Sequence, residues 1–258
     1  MGKFSTGFVA LLALLIIPNH LFGEYQTISN THDALAIAPE QDMADSVTQL
    51  SPQVMDVLEQ VFCSPQVCGE GDWQQWIIIT PDSPWAAEEL VMLSDILTAV
   101  IDSLDRQGLN GRALLSGYRF RRQHGEYITG DHQDWAAVTN HTSQEITLAD
   151  AAFKRLHGFY IIHELGHVID RRTERQLSMA FHSLAGSDRQ AQVTATGYWL
   201  NLAAKEDWAE ATADAFALWV MSTYDAGFRV VFVSTPLTAD YKGITAALAA
   251  SLEGLSRP

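Results

Sequence analysis

Apolar and polar positions alternate along the chain with two periods, and these divide it into predicted elements. Ser51-Pro52 opens a helix with Val54, Leu58, Val61 and Phe62 on one side, since proline suits a first helical turn behind a capping serine. Pro84 to Arg106 repeats Leu90, Leu93, Ile96, Leu97, Val100, Ile101 and Leu104 at helical spacing, which predicts a long amphipathic helix ending at Gly108. A further helix is expected to begin at Phe153, with Ile161, Ile162, Leu165, Val168 and Ile169 on its buried side. Lys205 to Trp219 and Thr238 to Leu255 read as two more helices. Strand-like runs are Trp76 to Thr80, Ala113 to Arg121, Trp135 to Thr139 and Glu145 to Leu148, separated by turn-forming Gly, Asp, Asn and Pro. Arg171 to Ala204 lacks a clear period and is read mostly as a loop or lid.

The N-terminus is patterned differently. Lys3 precedes a short apolar core from Phe8 to Ile17, and Gly23 is a small residue available at cleavage, so residues 1–23 read as an export signal. Residues 24–50 are polar and aperiodic, as in a mobile leader or pro-segment, which leaves 51–258 as one folded domain. Hydrophobic residues make up 47% of the 258, enough to bury a sizeable core. The formal net charge of −15 argues against nucleic acid and against an anionic membrane as partners. Only two cysteines occur, Cys63 and Cys68, and in an oxidising compartment such a pair closes a small disulfide loop. Two sulfurs without a second pair do not make a structural zinc site.

Candidate chemistry concentrates in Phe159 to Asp170, where His163 and His167 leave one face of a helix a turn apart. That spacing lets two imidazoles share a metal ion, while Glu164 stands beside them as a base for a water held there. Zinc suits imidazole and needs a third protein ligand in a catalytic site. The bland alternative is a buried amphipathic helix whose histidines are hydrogen-bonded. About forty residues on, Glu206, Glu210 and Asp214 share one face of the second helical stretch, with Ala and Trp at nearly every other position. A solvated acidic stripe would not need those apolar neighbours.

His163-Glu164-Leu165-Gly166-His167 resembles the H-E-x-x-H helix of the zincin metallopeptidases. Asp170 and Thr173 stand where metzincins carry a Gly and a third His, so that branch is excluded. The resemblance is to gluzincins, whose third ligand is a Glu on a later helix, followed four residues on by an acid that holds a ligand histidine. Two registers fit. Glu210-Ala211-Thr212-Ala213-Asp214-Ala215-Phe216-Ala217 is similar to their E-x-x-A-D-x-F-A segment, which makes Glu210 the ligand and Asp214 the support. Alternatively, Glu206-Asp207-Trp208-Ala209-Glu210 resembles a segment of secreted lethal-factor-type zinc metallopeptidases, which makes Glu206 the ligand and Glu210 the support.

The resemblance implies an α+β zincin-like fold: a small mixed sheet, a long backing helix, the active-site helix and a helical C-terminal half. It implies one catalytic zinc ion, a protein or peptide substrate, and attack by zinc-held water with Glu164 as base. Tyr198 falls near where gluzincins place a donor to the developing oxyanion. The last strand before the metal helix edges the cleft in that fold, so Gln144 to Ala149 is expected at the sheet edge, where a peptide adds as a strand. His141, His157 and His182 have no spacing that recruits them. The function expected is an exported zinc metalloendopeptidase, secreted or periplasmic, without stable membrane association once the signal is cut. Its rivals are a binding or regulatory module that keeps the scaffold without turnover, and a toxin-like effector that cuts one protein.

Overall fold

The computed structural model describes residues 50–129, 134–154, 158–185, 208–223 and 241–256. The fold is α+β, with a small mixed sheet and a predominance of helix. Helix α1 (Pro52–Val57) starts where the Ser51 hydroxyl accepts the Val54 N–H at 3.3 Å, and it widens into a π turn, Leu58–Phe62. The wider turn keeps Val54, Leu58 and Phe62 buried but swings Val61 outward to 40% exposure, against the expectation that it shares their face. Cys63 and Cys68 are disulfide-bonded directly after it. Strand β1 is short (Ile77–Ile78), because Trp76 caps a 3-10 turn over Trp73–Gln75. Helix α2 (Ala87–Arg106) buries Leu90, Leu93, Ile96, Leu97, Val100, Ile101 and Leu104, as its period predicts.

The stretch expected as a strand over Ala113 to Arg121 opens with helix, Ala113 to Leu115. Asn110 accepts the Ala113 N–H at 2.9 Å and starts α3 (Gly111–Leu115); pairing begins only at β2 (Arg119–Arg122). β3 (Ile128–Thr129) and β4 (Asp134–Trp135) form a separate antiparallel pair. β5 (Ala137–Asn140) and β6 (Glu145–Leu148) complete the main sheet in the order β1-β2-β6-β5, with only the β5–β6 pair antiparallel. The edge expected at Gln144 to Ala149 is therefore corrected. β6 is hydrogen-bonded on both sides and buries Ile146 and Leu148, while β5, with Val138 and Asn140 exposed, takes the edge.

The helix expected to run on from Phe153 is two helices, α4 (Asp150–Lys154) and α5 (Phe159–Arg172). Gly158 stands before α5 with φ +86°, a conformation that disfavours any side chain, and a Cβ there would lie 2.5 Å from Ile96 Cδ1. Part of the expected lid is also helical: α6 (Gln176–Ala185) buries Leu177 and Phe181, and buried Asp170 accepts the Ser178 N–H at 2.8 Å. Its remainder, residues 186–204, lies outside the described residues, as do 1–49. Helix α7 (Trp208–Thr223) is buried from Ala211 to Met221 and packs against α5, α6, α2 and the closing helix α8 (Tyr241–Ser256). These elements share one apolar core. Among the described residues no helix is long and apolar enough to cross a membrane.

Candidate metal centre

The site exists because α5 and α7 approach almost backbone to backbone. A Cβ on Gly166 would lie 2.9 Å from the Ala213 Cα and 3.2 Å from the Phe216 Cβ, so glycine is what admits α7 at this height. Alanines at 209, 211, 213, 215 and 217 keep the other side thin. Glu210 and Asp214, one turn apart on α7, thereby face His163 and His167, one turn apart on α5.

His163 Nε2 lies 3.1 Å from His167 Nε2 and 3.2 Å from Glu210 Oε2, and His167 Nε2 lies 3.3 Å from Glu210 Oε1. One ligand atom from each of the three residues falls within 4.8 Å of the others. Donors at zinc's usual bond lengths on a tetrahedron stand about 3.3 Å apart, so this donor set fits such an ion. Behind it, His163 Nδ1 donates to Asp214 Oδ1 at 2.7 Å, which leaves Nε2 as the nitrogen aimed between the helices. The other Asp214 oxygen, Oδ2, is buried without a hydrogen-bond partner among the described residues.

Charge accumulates where little water reaches it. Burial works against charging His163, but hydrogen bonds to Asp214 and Glu210 outweigh it and raise the imidazole well above its ordinary 6.5. His167 is raised likewise, burial being overcome by Glu210. Burial would lift the Glu210 carboxyl, yet the two imidazoles hold it far below the usual carboxylate range. Asp214 goes the other way, its carboxyl pushed up by burial despite His163. Without an ion, this cluster holds protons where a cation of higher charge would stand.

Glu164 is buried beside the pair, and its charge favours the protonated form of His167. Its carboxylate makes no hydrogen bond among the described residues, which leaves it available as a base. Edge strand β5 lies against α5, with the Thr139 hydroxyl 3.5 Å from the Glu164 carbonyl. Glu206 and Tyr198 lie outside the described residues. One neighbour escaped the sequence reading. His141, just past β5, bonds the hydroxyl of buried Tyr118 through Nδ1 at 2.8 Å; burial, then the charges of His167, Arg171 and Arg175, bring it down to about 4. Its only signal in the sequence is a histidine in a turn.

No protein-family model, curated protein or solved structure matches this chain.

Proposed function

We propose that this chain is an exported zinc-dependent metalloendopeptidase on a zincin-like scaffold of the gluzincin kind. The observation that carries the reading is the convergence of His163, His167 and Glu210 at separations suited to one tetrahedral ion, with Asp214 holding His163 from behind. When bound, zinc supplies a Lewis acid that polarises a carbonyl and acidifies water. The residues of the chain do the rest. His163 and His167 present Nε2 lone pairs once their protons have left, and Glu210 adds the charge that makes the set selective for a cation. Glu164 accepts a proton from the attacking water and can return it to the leaving amine. An extended peptide pairs along β5, the open edge of the sheet beside α5, which orients its backbone without reading side chains. The disulfide between Cys63 and Cys68 accords with an oxidising destination.

Two measurements test this. Metal content per chain is expected near one zinc for the native protein and for Glu164→Gln, and near zero for Glu210→Gln; loss on Glu206→Gln with retention on Glu210→Gln would instead assign the ion to the other register. Hydrolysis of a peptide library is expected from the native chain and is expected to fall by several orders of magnitude in Glu164→Gln. Normal turnover by that variant would remove Glu164 from the mechanism.

A further inference from the structure

On α5 the residue one turn beyond His167 is Arg171, so the face that carries His163 and His167 ends in a guanidinium. The chain then turns sharply. Glu174 and Arg175 both adopt left-handed backbone, with φ of 54° and 63°, and the Arg175 N–H returns to the Asp170 carbonyl at 2.7 Å. Arg171 and Arg175 are both exposed. Their side chains make no hydrogen bond or ion pair among the described residues. The other arginines near the sheet are spent: Arg119 and Arg121 on Glu145, Arg122 on Glu89 and Asp150, Arg172 on the Ser116 carbonyl and the Tyr118 ring.

The turn after β5 brings His141 to the same place. Its ring is held by Tyr118, whose own ring lies 5.3 Å from the Arg172 guanidinium, so His141 stands near the end of α5, and the charges of Arg171 and Arg175 act on it. Among the nearby carboxylates, Asp170 opposes this field at His141. Asp170 is buried and engaged with the Ser178 N–H, and Glu174 pairs with neither arginine. On a chain of net charge −15, Arg171 and Arg175 are thus two exposed cations without a carboxylate partner among the described residues.

We propose that Arg171, Arg175 and His141 form a subsite that takes a carboxylate of a bound peptide, either an acidic side chain or the free C-terminus. Both sources present the same planar anion, which a guanidinium meets with paired N–H donors. On the peptidase reading, a peptide paired along β5 meets these residues where the strand ends, since His141 directly follows Asn140. The position of the subsite relative to the scissile bond rests on the peptidase reading, whereas the carboxylate preference does not.

The test uses the full chain, zinc-loaded and silenced by Glu164→Gln, with fluorescently labelled peptides of neutral sequence at low ionic strength. One series walks a single Glu along an amidated peptide; another compares a free C-terminal carboxylate with its amide. At least one carboxylate peptide is expected to bind roughly three- to tenfold tighter than the neutral amide, the range for one or two exposed charge pairs. The series in which that ratio emerges identifies the source. The double variant Arg171→Ala/Arg175→Ala is expected to bring the ratio to about one, the corresponding double Lys variant to restore part of it, and Arg106→Ala, at the far end of α2, to leave it intact. The proposal is overturned if no carboxylate peptide outbinds the neutral one, if nothing in either series binds, or if the ratio survives the double Ala variant. If the native chain cleaves none of these peptides while the ratio and its loss are both observed, the peptidase reading fails and the subsite stands.

Discussion

His163 Nδ1 and Asp214 Oδ1 meet at 2.7 Å inside a helix pair that excludes water, so the second imidazole nitrogen is oriented before any ion arrives. The same carboxylate is costly to keep, since burial raises its pKa and Oδ2 has no partner among the described residues. Replacing this residue should therefore test what its charge does for the metal site. Asp214→Asn retains an oxygen to accept the Nδ1–H but loses the charge that makes His163 a better donor to a cation. Its metal affinity is expected to fall roughly 10- to 100-fold by chelator competition. Its metal-free melting temperature is expected to fall as well at about pH 6, because protonated His163 loses the carboxylate that raises it. Unaltered affinity would mean that Asp214 only fills space.

Between elements, the decisive contact is at Gly166, where the neighbour is the backbone of α7 rather than the yielding end of a side chain. Gly166→Ala is expected to cost about 1–3 kcal/mol by overpacking and, by pushing Glu210 away from the imidazoles, to lower metal content per chain. Gly254→Ala on α8, where a Cβ meets nothing within 4 Å, is expected to leave metal content unchanged and serves as the control. These two elements were legible because helical period is local: His163 with His167, and Glu210 with Asp214, each sit four residues apart, so one sequence window reveals a shared face. What partners such a face is not local. That β5 rather than β6 takes the sheet edge depends on β6 pairing with β2, 26 residues upstream in register, for which a four-residue strand carries no marker. The helical turn of α3 depended on one capping side chain at Asn110, and the break before α5 falls at Gly158, whose φ of +86° is left-handed. Tyr118 and His141 meet across 23 residues with no recurring spacing, so their contact was invisible.

For the molecule as a whole, the candidate ligands His163 and Glu210 are 47 residues apart in sequence, and an ion between them would tie α5 to α7. Because α7 also packs on α2, α6 and α8, that tie would resist unfolding of the entire core rather than of one loop. Free metal at about 100 times its Kd contributes about 2.7 kcal/mol, which for a domain of this size raises Tm by roughly 5–10 °C. The gain should depend on pH with a definite sign. In the metal-free protein His163 and His167 are raised above 6.5, so the stability they contribute is complete below that pH and is lost as pH rises through their folded values. An ion must displace those protons, so its binding strengthens over the same interval. The difference in Tm between zinc-loaded and chelator-treated protein is thus expected to be larger at about pH 8 than at about pH 6, and to be absent at both in His163→Ala. A gain that shrinks with rising pH, or one that survives His163→Ala, would place the stabilising ion somewhere other than between these two helices.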